Sequence, residues 1–501
     1  MPIPLIDLFA GPGGLNEGFS RVLDRRGNRI FETALSIEYE PTAHSTLELR
    51  ALYRKLEQGQ RGTYLDYVGS PLTGKARVRK RNELFASARA AGRSASSEAL
   101  LAELGASESS DLEIEDKIGA ALSEKKRGEF VLIGGPPCQA YSLAGRARRT
   151  RESLKVFESD AKHTLYREYL RMVRKFRPAV FVMENVTGLL SARFRGRKVF
   201  EMICEDLSGA GYQLHSIAPQ RELFSSGDPR EFVVHAEEHG VPQRRARIFI
   251  VGVRKDIGTT PGRLAISGES VSVLDAIGDL PRIRSRLSKE TDSALAWRNA
   301  VRMIGNRSMA GVDSILAGKV RARCAALSSE LPLGDCPLRR GKLPRIHRDW
   351  YIDSEMPLVL NHNSRGHMRS DLHRYLFWSE YGLNFSRSPK LSEVPRFLLP
   401  DHGNVSGSGK DAPFADRFRV QLGPRAATTI TSHISHDGHY YIHPDPSQCR
   451  SLSVREAARL QTFPDSYLFE GNVTAQYRQV GNAVPPLLAR QIGEVVAAVL
   501  R

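Results

Sequence analysis

The sequence predicts an α/β fold with a doubly wound sheet, for three reasons. Residues 3–19 read as a strand, a glycine-rich turn and a helix, which together open such a sheet. Apolar runs at 130–133, 181–183 and 248–253 have the length and composition of buried strands. Glycine or acidic residues follow the first two of these runs, and ligands bind at the carboxyl ends of the strands in this fold.

The first turn contains glycine at positions 11, 13 and 14, with a fourth at Gly18 in the following helix. Glycine lets the backbone approach a ligand closely, and the start of a helix favours a negatively charged group. The spacing is not GxGxxG, which counts against a nicotinamide dinucleotide.

The second strand, over residues 32–37, ends at Glu38 and Tyr39. An acid at this place suits the two ribose hydroxyls of a nucleoside cofactor, and the neighbouring tyrosine could stack on its base. Both residues are also compatible with an ordinary polar strand end. The sequence alone leaves the two interpretations open.

A polar insert over residues 55–128 follows. Its Ala- and Ser-rich part at 86–97 predicts a helix or a flexible connector, and no internal repeat is visible. The basic run at 75–81 fits either a polyanionic partner or a solvated surface.

Composition favours a nucleic-acid partner and a reducing compartment. The 501 residues carry a formal net charge of +17, an excess typical of proteins that bind polyanions. Five scattered cysteines without CxxC spacing predict a cytoplasmic protein rather than a disulfide or zinc framework. No apolar run has the length of a membrane span, so we expect no membrane association.

Cys138 lies in a rigid turn after the strand at 130–133. Pro136 and Pro137 fix two φ angles and remove two backbone donors, so the thiol is held in a set direction. A nucleophile must approach its substrate from a fixed direction, whereas a packed core cysteine needs no such rigid turn. We therefore favour a catalytic cysteine, with a core cysteine as the alternative.

Charged residues mark two further strands. Glu184 stands at the carboxyl end of the strand at 181–186, and Arg245 and Arg247 precede the strand at 248–253. Alternation places the two arginines on one face of an extended chain, where they need anions or carbonyl groups as partners. Each is equally compatible with an ordinary strand end.

Two segments near the C-terminus are more structural in character. Ser453 and Glu456 have the spacing of a capping box at the start of a helix. Residues 479–486 predict a turn that leads through a Pro-Pro pair into a final helix.

The order of these motifs resembles that of the DNA (cytosine-5) methyltransferases. The resemblance spans nearly the whole chain and implies a Rossmann-like class I methyltransferase sheet with a separate, mostly irregular target-recognition domain. The matching motifs are FxGxGG at 9–14, PPCQ at 136–139, ENV at 184–186, QxRxR at 243–247, RExARLQ at 455–461 and GNAVPP at 481–486.

The resemblance also implies roles for single residues. Cys138 would attack C6 of a flipped-out cytosine, Glu184 would stabilise the adduct near N3, Arg247 would face O2, and Arg245 would orient the acid or the backbone. S-adenosylmethionine would be the cofactor. Its pocket would be lined by a set of turn and strand-end residues: Phe9, Gly11, Gly13, Gly14, Glu38, Tyr39, Asn482 and Val484. The family's acid near the end of a third strand has no clear equivalent here, and Glu103 is the nearest candidate.

By the same resemblance, residues 1–258 and 450–501 form the catalytic domain and 259–449 the target-recognition domain. The segment 141–163 would close over the flipped base. Within the recognition region, four histidines between 433 and 443 could bind a metal, but we favour a polar turn and predict no metal site. The polar segment 361–367 could contact bases or phosphates, or be a plain loop.

Duplex DNA is the expected partner. We expect a monomeric protein in the cytoplasm of a prokaryote, or one encoded by a phage. A cognate restriction endonuclease that acts on the same site is a possible second partner. Two rival interpretations stay open. A tRNA cytosine methyltransferase would share the thiol and the acid, but the long region before Arg450 favours a DNA reader. A non-catalytic DNA-binding protein on the same scaffold would not need Cys138, Glu184 and Arg247.

Overall fold

The computed structural model describes residues 1–124, 129–137, 164–221, 227–328, 330–399 and 418–501. Contact clustering divides the chain into two compact units. The first comprises 1–61, 82–269 and 483–501, and the second comprises 62–81 and 270–482. No helix in the described ranges is long and apolar enough to cross a membrane.

Twelve short or medium strands occur in the described residues. In chain order they are β1 (Ile3–Leu8), β2 (Phe31–Glu38), β3 (Ala99–Leu101), β4 (Val131–Gly134), β5 (Val180–Val186), β6 (Arg193–Phe194), β7 (Arg197–Lys198), β8 (Tyr212–His215), β9 (Val233–His235), β10 (Ala246–Arg254), β11 (Leu338–Arg339) and β12 (Leu358–Val359).

The α-helices connect and cover these strands. They are α1 (Gly14–Phe19), α2 (Pro41–Lys55), α3 (Arg61–Val68), α4 (Gly74–Ser87), α5 (Arg89–Glu98), α6 (Glu108–Glu124), α7 (Thr164–Phe176), α8 (Val199–Gly209), α9 (Val273–Ile277), α10 (Ala294–Arg302), α11 (Ser314–Ala325), α12 (Arg348–Tyr351), α13 (Arg369–Phe385), α14 (Val454–Leu460), α15 (Val473–Asn482) and α16 (Pro486–Val499).

The first unit is built on one sheet, which confirms the predicted α/β class. Its strand order is β3-β2-β1-β4-β5-β10-β8, with β9 paired to β10. The strands from β3 to β5 are parallel, whereas β10 runs antiparallel to β5, β8 and β9. From β1 the sheet is first extended on one side by β2 and β3, and the chain then adds β4 on the opposite side of β1. A crevice for ligands forms at such a switch point, beyond the carboxyl ends of the strands.

Two apolar layers cover the faces of this sheet. Because side chains alternate along a strand, Ile3 and Leu5 of β1 enter one layer and Ile6 and Leu8 the other. The first layer contains α1 and α16, which cross so closely that a Cβ at Gly18 would overlap the backbone of α16. This crossing fixes the helix that follows the glycine-rich turn.

The second unit has a core of its own. Helices α10, α11 and α13 pack around buried aromatic side chains that include Trp297 and Trp378. Apart from these helices, the described part of 259–449 is mostly irregular, as predicted for a recognition domain.

The compact units do not coincide with the predicted domains. Residues 450–482 cluster with 270–449 rather than with the sheet, and so do residues 62–81 of the insert. The division of function between 1–258, 259–449 and 450–501 stays a prediction.

The structure confirms some of the predicted local elements and contradicts one of them. The capping box of Ser453 and Glu456 is present at the start of α14. The turn predicted over 479–486 is wrong for residues 479–482, which form the last turn of α15, whereas the predicted final helix is present as α16 from Pro486. Within the insert, the Ala- and Ser-rich stretch is largely the helix α5.

Candidate active site

The carboxylate of Glu184 lies at the carboxyl end of β5, next to Arg247 on the antiparallel strand β10. The nitrogen Nε of Arg247 is 3.1 Å from Oε1 of Glu184. Strand register explains this contact, since Glu184 faces Phe249 and Arg247 lies two residues along the same strand. The side chain of Glu184 is 14% exposed and that of Arg247 is 17% exposed, so a ligand at the sheet edge can contact the pair.

The turn that leads to Cys138 is held beside this acid. A Cβ added to Gly135 would lie 3.0 Å from Oε2 of Glu184, so glycine permits a close approach. The amide Nδ2 of Asn185 donates to the carbonyl of Pro136 at 3.3 Å. The backbone at Gly135 and Pro136 therefore lies beside the strand end that carries the acid. Cys138 itself and the segment 141–163 lie outside the described residues.

Arg245 has a different environment from Arg247. Its side chain is 2% exposed, and Nη2 donates to the carbonyl of Ala483 at 3.0 Å. Its backbone N–H donates to Oε2 of Glu237 at 3.1 Å. Arg245 therefore contacts the backbone of the C-terminal return, and its role stays a prediction. Arg247 is the arginine that pairs with the acid.

The glycine-rich turn after β1 has an open face. Phe9, Gly11 and Gly13 adopt positive φ angles of 56°, 57° and 89°. Among the described residues, no heavy atom lies within 4 Å of a Cβ built on Gly11, so this part of the structure leaves space beside it. A side chain there would project into the space that a ligand needs.

Glu38 ends β2 as predicted, and its carboxylate is fixed by two backbone donors. The N–H of Gly11 donates to Oε2 at 2.8 Å and the N–H of Glu40 donates to Oε1 at 2.9 Å. Burial raises the pKa of Glu38 even though both donors act to lower it. Each oxygen keeps a lone pair for a further donor such as a ribose hydroxyl.

The other predicted cofactor residues divide into exposed and packed groups. Tyr39 is 57% exposed and follows Glu38, and Asn482 is exposed at the end of α15. Gly14 and Val484 are buried against each other, since a Cβ on Gly14 would overlap the carbonyl of Val484. Gly14 therefore permits close packing of α1 on the C-terminal return.

The third strand, β3, lies within the polar insert. Leu101 at the end of β3 pairs with Glu38, and Glu103 follows two residues later with an exposed side chain. The candidate adenine contact therefore stands beyond the same sheet edge as Glu38. Its role stays a prediction.

Asp7 in β1 is a polar residue that sequence reasoning missed. Its side chain is 1% exposed, and neither carboxylate oxygen has a hydrogen-bond partner among the described residues. Burial and the nearby charge of Glu38 raise the pKa of Asp7 well above its usual value. The signal was an aspartate within an apolar strand, directly before the glycine-rich turn.

Polar residues of the recognition region have internal partners. Nδ1 of His439 is 2.7 Å from the hydroxyl of Tyr375, and Nε2 of His443 is 3.3 Å from the carboxylate of Glu456. No group of three or more metal-binding side chains occurs in the described ranges. In the segment 361–367, Asn361 and His362 are held by hydrogen bonds within the second unit. These contacts favour the plain-loop interpretation for both residues.

Comparison with known proteins decides the family. A model of the C-5 cytosine-specific DNA methylase family matches residues 122–498. The chain is 32% identical over 507 residues to the type II methyltransferase M.Bpa9945I of Bacillus paralicheniformis, covering 99% of both chains. The chain belongs to the C-5 cytosine-specific DNA methylases. It is thus a DNA (cytosine-5) methyltransferase, as the motif order predicts.

Other relatives of this DNA methylase agree with the assignment. It is 27% identical over 384 residues to the type II methyltransferase M.DdeI of Desulfomicrobium norvegicum, covering 73% of this chain and 72% of that one. A solved structure of a DNA modification methyltransferase encoded within an E. coli prophage has a TM-score of 0.51 at 18% identity, with 99% of both chains covered. That structure supports the class I fold.

Proposed function

We propose that this DNA methylase transfers a methyl group from S-adenosylmethionine to C5 of a flipped-out cytosine in a specific duplex sequence. The reaction would proceed through a covalent bond between Sγ of Cys138 and C6 of the base. The observation that carries this proposal is the placement of Gly135 and Pro136, which lead to Cys138, beside the strand end where Glu184 pairs with Arg247.

The chemistry explains why a thiol and an acid are needed together. C5 of cytosine is a poor nucleophile, so the Cys138 thiolate first adds to C6 and the electrons of the C5–C6 double bond become available at C5. C5 would then take the methyl group that S-adenosylmethionine supplies, and the thioether would be the leaving group. Loss of the C5 proton to a base and expulsion of the thiolate then restore the aromatic ring.

Glu184 would stabilise the adduct at N3, by proton donation or by a strong hydrogen bond. Its 3.1 Å contact with Arg247 fixes the direction of the carboxylate and leaves the other oxygen for the substrate. Arg247 would also face O2 of the base. Arg245 would not contact the base and would act as a positioning residue, because its side chain holds the backbone at Ala483.

The residues around the first turn fit a nucleoside cofactor. S-adenosylmethionine, when bound, supplies an electrophilic methyl group on a sulfonium. Glu38 would accept hydrogen bonds from both ribose hydroxyls, since its two oxygens are already oriented by backbone donors. The open space at Gly11 and the exposed ring of Tyr39 would accommodate the rest of the nucleoside.

Target recognition would lie mainly in residues 259–449. A cytosine inside a duplex must leave the stack before a thiol can reach C6, and the segment 141–163 is proposed to close over it. Exchange of 259–449 for the corresponding part of a related enzyme should move the methylated site without changing the reaction. Bisulfite sequencing of the modified DNA measures this, and an active chimera that keeps the original site contradicts the assignment.

The names of the relatives support a restriction-modification role. The type II methyltransferases M.Bpa9945I and M.DdeI have this designation in common, so a cognate endonuclease cutting the same site is a proposed partner. We further propose a monomeric enzyme in the cytoplasm of a prokaryote. Light scattering of the purified protein tests the oligomeric state, and protection of methylated DNA from a co-encoded endonuclease tests the partnership.

One assay separates the proposed reaction from its rivals. The protein is incubated with radiolabelled S-adenosylmethionine and either duplex DNA or tRNA, with Cys138→Ser as the comparison. We expect label in the DNA, none above background in tRNA, and loss of labelling in the variant because a serine hydroxyl is a far weaker nucleophile. Labelled tRNA alone would favour the RNA enzyme, and DNA binding without labelling would favour the non-catalytic protein.

A further inference from the structure

Within the second compact unit, the insert residues 62–81 are joined to the C-terminal region by a buried polar contact. The hydroxyl of Tyr67 donates to Oε1 of Glu470 at 2.5 Å, although 403 residues separate them in the chain. Arg77 on α4 donates to both oxygens of the same carboxylate, at 3.1 and 3.2 Å. Its guanidinium also lies 4.5 Å from the centroid of the Tyr67 ring. This contact orients the first half of α4.

The docked half of α4 carries an excess of positive charge. Residues 67–82 contain no acidic residue, whereas five basic residues occur between 75 and 81. The Glu470 carboxylate offsets Arg77. The side chains of Lys75 and Arg79 are exposed and that of Lys80 is partly exposed. Within the described chain, neither Lys75 nor Lys80 has an acidic partner.

This charge arrangement does not favour the helix by itself. Lys75 lies in the first turn of α4, where the positive end of the helix dipole repels a cation. A bound polyanion would reverse this effect. The basic surface therefore fits an anionic partner better than it fits water alone.

We propose that Lys75, Arg79 and Lys80 form a second DNA-contacting surface, which binds the phosphate backbone of the duplex independently of its sequence. Duplex DNA is the favoured occupant because the unit that holds this surface also contains nearly all of residues 259–449. The inference rests on the proposed function, in which 259–449 reads duplex DNA. The insert would thus add contacts with the DNA phosphates to those of the recognition region 259–449. Such contacts position the duplex without specifying bases.

The test compares two triple variants with equal loss of charge. Lys75→Gln/Arg79→Gln/Lys80→Gln removes the basic surface, and Arg25→Gln/Arg26→Gln/Arg174→Gln removes three exposed cations from the first unit. Binding of a fluorescein-labelled DNA duplex of mixed sequence, and in parallel of fluorescein-labelled tRNA, is titrated over a range of salt concentrations. Wild-type methylation of DNA is measured first, so that failure of the proposed function is detected separately.

Each lost phosphate contact should reduce the slope of log K against log salt by about 0.9. We expect the slope of the first variant to fall by about 2–3 and its affinity to fall at least tenfold at low salt, with the same methylated sites. The control should keep the wild-type slope. Thermal unfolding shows that both are folded, and Lys75→Gln alone should lower the slope by about 1.

Three outcomes would overturn the proposal. They are an unchanged slope in the first variant, an equal fall in the control, and a loss of tRNA binding without a loss of duplex binding. The first result would show that these residues do not contact the phosphates. The second would show that any loss of positive charge weakens DNA binding equally. The third would show that the surface binds RNA.

Discussion

Arg247 Nε lies 3.1 Å from Glu184 Oε1, across the antiparallel pairing of β10 with β5. The two residues are 63 positions apart in the chain, and their contact depends on the register of two strands. Because an ion pair with fixed backbones on both sides has little freedom to rotate, the second oxygen of Glu184 keeps one direction. This geometry underlies the proposed stabilisation of the base at N3.

We expect Glu184→Gln to lower kcat by roughly 10²–10⁴-fold, the usual effect of removing a positioned acid. The amide keeps the size of the side chain but cannot supply a proton or a full negative charge. Affinity for S-adenosylmethionine should change little. Single-turnover methylation and calorimetric titration measure the two quantities.

Glu205→Gln provides the matched control, since it removes an acid from the exposed pair of Arg197 and Glu205. This variant should methylate at the wild-type rate. An unchanged rate in Glu184→Gln, or an equal loss in both variants, would contradict the catalytic role of Glu184.

Glu38→Gln should weaken S-adenosylmethionine binding by about 10–100-fold, because hydrogen bonds to a charged group contribute roughly 1.5–3 kcal/mol. The variant keeps one acceptor oxygen and loses the charge that two hydroxyls would share. Glu32→Gln, at the opposite end of β2, is the control and should bind normally. Calorimetric titration without DNA measures both, and undiminished affinity in Glu38→Gln would refute the pocket.

Acidification should weaken cofactor binding through Glu38. Burial raises the pKa of this carboxyl in the free protein, and ribose hydroxyls that donate to the carboxylate favour the ionised form. Affinity should therefore be constant above the raised pKa and fall as the pH drops through it. Titrations from about pH 8 to about pH 5 test this. The fall should be smaller in Glu38→Gln, and an identical pH profile in that variant would contradict the assignment.

Glu17 in α1 is expected to support the stability of the first unit. Its buried carboxylate binds Arg50 at 2.6 and 2.9 Å and Arg21 at 2.8 Å. Burial alone would raise its pKa, but Arg50 and Arg21 lower it from 4.5 to about 2. Because the folded pKa is depressed, this stabilisation is present above about pH 4.5 and is lost as the pH falls toward about 2.

Glu17→Gln should accordingly lower the free energy of unfolding by about 3 kcal/mol at neutral pH. The difference from the wild type should shrink on acidification through the same range. Urea denaturation measures it, with Glu494→Gln of the exposed pair with Arg490 as a control that changes stability by less than about 1 kcal/mol. A wild-type midpoint for Glu17→Gln at neutral pH would show that the cluster contributes no net stability.

Much of the fold could be predicted because β1, β4, β5 and β10 each contain an apolar run, and runs of this kind are typical of buried strands. Strand β3 has only three residues within a polar insert, which is too short for a periodic signal. The antiparallel direction of β10 was not predictable from its residues. Direction is set by the connections between strands, and composition does not record them.

The candidate site shows the same division. Glu38 and Glu184 were predictable because each is an acid at the end of an apolar strand. The partner of Arg245 and the burial of Asp7 depend on three-dimensional contacts. The sequence predicts a turn at Gly481, but the residue lies in α15, at a place where a Cβ would overlap the backbone at Thr431. Its glycine permits a close contact rather than a bend.

Trapping with 5-fluorocytosine tests the proposed covalent mechanism most directly. The enzyme is incubated with S-adenosylmethionine and duplex DNA in which fluorocytosine replaces cytosine, and peptides are then mapped by mass spectrometry. Fluorine at C5 cannot leave as a proton does, so the methylated adduct should persist on Cys138 and be absent in Cys138→Ser. Ordinary DNA should be methylated by the same preparation. Methylation of ordinary DNA with no adduct, or an adduct on another residue, would contradict the mechanism.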